Sequence, residues 1–220
     1  LFSKVAQSHP NLPYGHVLLA YANLIGATNE WASDPNKTLS AARDQARNAS
    51  NTGDPTGMAM AVEASILMTE GKHDEALAII ENLEIVRPTC DVTYGLEGSV
   101  RRYLGQWEKA IDLLDIAMRL TGLNKPWYPT VKSCSLFMGG RIEQAASIAE
   151  MVLEHQPYNL EALLILVATQ VELSLDRRAK ATTELIKKRS PALNVERWID
   201  KNPYQKEELV ERWKRDLTSA

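Results

Sequence analysis

An alanine recurs along the chain at an almost constant spacing, and this repetition constrains the fold more than any other feature of the sequence. Ala42, Ala76, Ala110, Ala145 and Ala179 follow one another at intervals of 34, 34, 35 and 34 residues. Three of these alanines complete the same short pattern, in which a glycine is followed by four residues and then the alanine. Repeats of this length are typical of stacked helical hairpins. The spacing therefore predicts an all-α chain built from about five copies of one helix pair.

Two further kinds of residue keep the same phase. A proline follows twelve residues after three of the alanines, at Pro88, Pro157 and Pro191, and Gly122 takes its place once. The first helix of each pair has its own small residue at Ala64, Gly98 and Ser133, whereas Val167 departs from this pattern. Small side chains let two helices approach closely, and the proline is expected to end the second helix of each pair.

This pattern resembles the tetratricopeptide (TPR) repeat, and Tyr94 and Gly98 match its aromatic residue and its glycine in the third unit. The resemblance implies a right-handed superhelical solenoid of TPR-type helix–turn–helix repeats with a C-terminal capping helix. We expect residues 1–191 to form the solenoid, with a partial first repeat and an insertion at 28–36. Residues 192–220 are expected to form the cap, because the end of a solenoid must cover an apolar face. The predicted helix pairs cover about residues 13–52, 57–88, 91–121, 126–156 and 160–190.

Three segments outside the repeat pattern narrow the resemblance. They are Trp-Ala-Ser-Asp-Pro at 31–35, Asn-Lys-Pro-Trp-Tyr at 124–128, and the tail at 195–204. Together they resemble the TPR region at the C-terminal end of many bacterial class III adenylate/guanylate cyclases, which also follows the DNA-binding domain of some winged-helix regulators. The resemblance implies a regulatory module joined to an N-terminal effector domain, such as a cyclase that makes cyclic AMP. A first residue of Leu1 instead of Met is consistent with a fragment of such a signalling protein.

The sequence carries no residue pattern typical of an enzyme. Its four histidines, at positions 9, 16, 73 and 155, lack metal-ligand spacing and are expected at the surface or at helix ends. A glycine-rich phosphate loop and a nucleophile elbow are both missing from the sequence. We therefore expect this chain to be non-catalytic, with no metal and no cofactor.

The charge and the number of cysteines limit which partners and which cellular compartment are expected. The formal net charge is −3, which argues against nucleic acid or an anionic membrane as the partner of this chain. Basic residues cluster at 177–189, and the solvated outer face of a helix explains them better than a polyanion-binding patch. Only two cysteines are present, which is typical of a reducing compartment, and we expect a cytoplasmic location. The longest apolar run, at 162–168, is far shorter than the ~18 residues that a membrane span needs.

The first helices of a TPR stack line its groove, so their exposed positions are the candidate partner-binding residues. We refer to these positions as the groove face, and they are Met58, Ala61, Ser65, Met68, Val92, Ser99, Arg102, Tyr103, Trp127, Thr130, Cys134, Met138, Glu161 and Leu164. This set is apolar and rich in methionine, which suits an amphipathic helix or a peptide with an aromatic anchor. The partner is expected to be a protein, a peptide or the effector domain of the same chain. Two alternatives stay open, which are a small-molecule sensor near Trp127 and Tyr103 and a homodimer formed through an open end of the solenoid.

Overall fold

The computed structural model describes residues 2–28, 32–121, 125, 127–191, 193–205 and 207–218. Within these residues the chain forms α-helices and no β-strand, which confirms the prediction of an all-α fold. The helices are α1 (Phe2–Ser8), α2 (Pro13–Thr28), α3 (Pro35–Asn51), α4 (Met58–Thr69), α5 (His73–Val86), α6 (Asp91–Tyr103), α7 (Trp107–Thr121), α8 (Trp127–Met138), α9 (Ile142–His155), α10 (Leu160–Glu172), α11 (Asp176–Arg189), α12 (Val195–Asp200) and α13 (Glu207–Thr218).

The helices belong to two compact units. Unit 1 comprises residues 1–96 and unit 2 comprises residues 97–220. The core of unit 1 is built largely from alanine and aliphatic side chains of α2, α3 and α4, among them Ala20, Ala46 and Ile66. The core of unit 2 contains larger side chains, including Phe137 and Trp213.

The repeated alanines lie where the helices of a pair meet. Ala42, Ala76, Ala110 and Ala145 are fully buried, and Ala179 is 2% exposed. At Gly98, which faces Ala110, the partner helix leaves no room for a side chain. A Cβ atom placed on Gly98 in α6 would lie 2.9 Å from Leu114 Cγ and 3.2 Å from the Ala110 carbonyl oxygen in α7. The predicted reason for the small residues, a close approach of two helices, is therefore what the structure contains.

Four of the turns inside the helix pairs close in the same way. Gly71, Gly105 and Gly140 adopt a left-handed backbone with φ of 75°, 73° and 81°, which glycine allows without a Cβ clash. The next N–H then donates back to a carbonyl five residues earlier, as in the 2.9 Å bond from Lys72 to Leu67. The fourth turn forms the same bond, but Ser174 takes the glycine position with φ of 56°.

The predicted prolines do follow the second helices. α5, α9 and α11 each end two residues before Pro88, Pro157 or Pro191, and the intervening residue leaves the helical region. α7, the second helix of the third pair, ends at Thr121. Gly122, which we expect to end this pair, lies outside the described residues.

The insertion predicted at 28–36 is shorter in the structure, because helices occupy both of its ends. α2 continues to Thr28, and α3 begins at Pro35 after Asp34, whose carboxylate accepts a hydrogen bond from the Lys37 N–H at 3.0 Å. An aspartate cap followed by proline at the first helical position is a strong helix start. Trp31 and the segment 29–31 lie outside the described residues.

Beyond α11 the chain packs back onto unit 2. Ile199 in α12 and Leu209 and Trp213 in α13 are buried in the same core as α8 and α10. None of the described helices combines the length and the apolar character that a membrane span requires.

Candidate partner-binding site

In unit 1 the predicted groove face lies on α4 and is partly open to solvent. Met58, Ser65 and Met68 are partly exposed, whereas Ala61 is 5% exposed and belongs to the buried residues. The hydroxyl of Ser65 donates to the Ala61 carbonyl one turn earlier at 2.8 Å. This part of the helix therefore presents two thioethers and one hydroxyl that is already hydrogen-bonded.

The neighbouring helix α2 extends this face with larger side chains, which the sequence prediction missed. Tyr14 and Tyr21 precede Met58 and Ser65 by 44 residues and hold the same positions in the repeat. Together with Leu18 between them, they lie on one face of α2 and are 54%, 49% and 44% exposed. The sequence did contain a signal for these tyrosines, because each precedes its equivalent residue in α4 by the length of one repeat plus the insertion.

Charge is absent from the sequence of α2. Its 16 residues include no Asp, Glu, Lys or Arg, and α4 contributes only Glu63. Most exposed helices carry charged residues on the face opposite the core, so an uncharged helix with exposed tyrosine and leucine side chains is unusual for a solvated surface.

In unit 2 the chain itself buries most of the predicted groove face. Trp127 is 36% exposed, packs on the adjacent Tyr128 ring at 4.1 Å, and remains accessible. The side chain of Glu161 is also partly exposed. Val92, near the start of α6, is partly exposed too, but this residue belongs to unit 1. The other members are buried, and these are Ser99, Arg102, Tyr103, Thr130, Cys134, Met138 and Leu164.

A buried guanidinium lies at the centre of this region. Arg102 donates to the Glu161 carboxylate at 2.5 Å and to the Tyr103 hydroxyl at 2.7 Å. Its Nε atom is buried without a hydrogen-bond partner among the described residues. Burial acts to lower the pKa of Arg102, but Tyr103 and Glu161 outweigh it, so the pKa lies well above its ordinary value and the group stays charged.

The tail supplies an aromatic side chain to this region. Tyr204, between α12 and α13, packs edge-on against the Tyr103 ring with the centroids 5.1 Å apart. Its hydroxyl oxygen lies 3.3 Å from Cys134 Sγ and accepts a long hydrogen bond of 3.4 Å from Trp213 Nε1. Burial raises the pKa of Cys134 and of both tyrosines, so the thiol and the phenols stay protonated at neutral pH.

Arg212 of α13 holds the tail in place. Its guanidinium forms two hydrogen bonds to the Glu172 carboxylate, at 2.9 and 2.8 Å, and a third to the Met138 carbonyl at 3.0 Å. It also lies over the Phe137 ring at 4.3 Å. A bidentate arginine–carboxylate pair is among the stronger polar contacts, so α13 is anchored at the ends of α8 and α10.

The histidines that the sequence analysis considered as metal ligands do not form a metal site in the described part of the chain. The expected surface location is wrong for His16 and His73, which are 8% and 1% exposed, although His73 does lie at a helix end as the first residue of α5. His16 instead donates from Nε2 to the Pro10 carbonyl at 3.0 Å. Across the described part of the chain, no three His, Cys, Asp or Glu side chains converge as a metal-binding group.

Paired helices that pack through small residues and turn through left-handed glycines define a helical-repeat protein. Solved structures place this repeat in the TPR fold. A TPR protein, YrrB, whose structure is described as having an unusual peptide-binding site, has a TM-score of 0.53 and 17% sequence identity, with 98% of each chain covered.

Two further structures are similar over most of this chain. PilW, a type IV pilus biogenesis factor, has a TM-score of 0.64 and 14% identity, covering 91% of this chain and 92% of PilW. The APC/C hetero-tetramer Cut9–Hcn1 has a TM-score of 0.72 and 14% identity. That match covers all of this chain, which spans only 42% of the chain it matches. No protein-family model matches the sequence, and no curated protein matches it significantly.

Proposed function

We propose that this chain is a protein-interaction module that binds a segment of a partner protein through the groove face of unit 1. The observation that carries the proposal is the stripe of Tyr14, Leu18 and Tyr21 on a helix without charged residues. Exposed, contiguous apolar side chains on a protein surface mark interaction sites, and tyrosine is enriched in them.

The adjacent face of α4 fits the same role. Met58 and Met68 are flexible and polarisable, so they adapt to partners of irregular shape. Because α2 contains no charged residue and α4 contains only Glu63, the partner contributes apolar side chains, as an amphipathic helix does when it lies in a groove. The buried positions in unit 2 contribute to stability in this proposal and not to first contact with the partner.

Selection of peptides on the immobilised protein tests this proposal. A phage-displayed random library should yield sequences with apolar residues at helical spacing, and Leu18→Ser and Tyr21→Ser should abolish the enrichment. Ile85→Ser is the matched control, because Ile85 lies in the same unit, on α5, and is 80% exposed. Enrichment that survives both substitutions on α2 would contradict the proposal.

We further propose that the module regulates a cytoplasmic bacterial signalling protein, with a class III adenylate cyclase as the first candidate and a winged-helix regulator as the second. The support is the resemblance of the segments at 31–35, 124–128 and 195–204, together with two free cysteines. In either case the partner segment belongs to the effector domain or to a protein that controls it. The product of the complete gene should form cyclic AMP from ATP in the first case, and its lack of that activity would remove the cyclase candidate.

A further inference from the structure

Tyr204 docks on unit 2 in the way that a residue of a bound peptide would. It lies in the connection between α12 and α13, outside both helices. Its ring contacts Tyr103, and the main-chain N–H of the next residue, Gln205, donates to the Tyr103 carbonyl at the end of α6 at 3.2 Å. The last carbonyls of a helix have no partner within it, so this position is available for a main-chain donor from another segment.

The surroundings of Tyr204 are more polar than simple packing requires. Its hydroxyl lies beside Cys134 Sγ and Trp213 Nε1, and the Arg102 guanidinium next to Tyr103 has a buried Nε without a hydrogen-bond partner among the described residues. A buried polar group costs stability unless it is hydrogen-bonded, whereas an apolar side chain in the same slot would need no partner. Polar atoms placed around one hydroxyl are instead suited to distinguish a tyrosine from a phenylalanine.

The two tail helices have attachments besides Tyr204. α12 is held by Ile199, which is fully buried, and α13 by Trp213 and by the bidentate contact between Arg212 and Glu172. Residues 202–204 are only partly buried and belong to neither helix. Rotation of Tyr204 out of the slot would break the Gln205 hydrogen bond to Tyr103 but would leave the contacts of Ile199 and of Arg212 with Glu172 in place.

We propose that the slot between Tyr103, Cys134 and Trp213 is a binding site for a tyrosine side chain of a partner protein, and that Tyr204 occupies it until that side chain replaces it. The site adds a second anchor point, in unit 2, to the partner-binding role proposed for unit 1, and it rests on that role. The ligand class follows from the phenol that the chain itself places there. Because Tyr204 competes for the slot, it lowers the apparent affinity of the protein for the tyrosine side chain of the partner.

The test uses a synthetic peptide with the sequence of residues 200–208 and a matched peptide that carries Phe in place of its tyrosine. Binding is followed by tryptophan fluorescence, since Trp213 lies at the slot. Tyr204→Ala should bind the tyrosine peptide at least about tenfold more tightly than the unchanged protein, because the internal competitor is gone. Tyr204→Phe, which keeps the ring and the packing, should fall between the two.

The controls separate this site from the one in unit 1. The tyrosine peptide should bind Tyr204→Ala more tightly than the phenylalanine peptide does, and Tyr21→Ser added to that variant should leave binding unchanged. Equal affinity of the unchanged protein and both Tyr204 variants would overturn the inference, as would equal affinity for the two peptides. Loss of binding on Tyr21→Ser would place the peptide in unit 1 and would overturn it as well.

Discussion

Arg102 on α6 and Glu161 on α10 form an ion pair at 2.5 Å although two repeats separate them in the sequence. The arginine side chain is 4% exposed and the glutamate side chain 30% exposed, so the pair lies at the boundary between the core and solvent. The contact links the first helices of the third and fifth repeats inside unit 2. A buried charge of this kind is tolerated only while its partner is present.

Glu161→Gln should therefore destabilise the protein by about 1–2 kcal/mol, because it leaves the Arg102 guanidinium buried without a carboxylate. The same substitution at Glu184, whose pair with Lys187 is largely exposed, should cost less than about 0.5 kcal/mol. Urea denaturation of both variants measures the difference. Equal costs would show that the buried pair contributes no more than a surface pair.

The close approach of paired helices predicts different outcomes for two alanines on α11. Ala179, a repeat alanine, is 2% exposed, whereas Ala181 is exposed. Ala179→Leu should cost about 1–3 kcal/mol through overpacking, and Ala181→Leu should cost little because alanine and leucine have similar helix propensities. Thermal unfolding of the pair provides the measurement. If Ala179→Leu melts like the unchanged protein, the register assigned to the repeat is wrong.

The left-handed residues in two turns, Gly140 and Ser174, predict different outcomes when alanine replaces the first and glycine replaces the second. At Gly140, with φ of 81° and no atom within 4 Å of an added Cβ, Gly140→Ala should cost about 1 kcal/mol through backbone conformation alone. At Ser174, with φ of 56°, Ser174→Gly should stabilise the chain or leave its stability unchanged, because glycine relieves that strain while it gains entropy in the unfolded chain. A stabilising Gly140→Ala in calorimetry would contradict the assigned turn conformation.

Glu70 in unit 1 should make stability depend on acid pH. Burial acts to raise the pKa of Glu70, but the hydrogen bonds from Arg43 and Lys72 outweigh it, so the pKa lies below its ordinary value of 4.5. A lowered pKa stabilises the fold above pH 4.5, and this contribution is lost as the pH falls through the lowered value. Glu70→Gln should cost up to about 1 kcal/mol at pH 7, and the difference should shrink below pH 4.5. A difference in melting temperature that does not change with pH would contradict this role.

The repeat made most of the fold predictable, because the same physical requirement recurs every 34 or 35 residues. A small residue such as Ala110 is needed wherever two helices touch, and a proline such as Pro88 follows wherever a second helix ends. The short insertion was harder to bound, since its ends depend on local capping by Asp34 and not on the repeat.

The contacts of the candidate site were less predictable because they occur once and follow no period. The placement of Tyr204 beside Cys134 joins residues 70 positions apart, and that of Arg102 beside Glu161 joins residues 59 positions apart. The first separation equals about two repeats, but Tyr204 lies in the tail beyond the last helix pair, and the second separation is not a multiple of the repeat. The exposed tyrosines of α2 were predictable in principle, since Tyr14 and Tyr21 hold the same repeat positions as Met58 and Ser65.

The most direct test of the central proposal is the affinity of one library-selected peptide for three forms of the protein. Its dissociation constant should rise at least about tenfold for Tyr21→Ser, a loss of about 1.4 kcal/mol, while the melting temperature stays unchanged because Tyr21 is 49% exposed. Ile85→Ser should bind as tightly as the unchanged protein. Equal dissociation constants for all three forms would contradict the assignment of the partner-binding surface to α2.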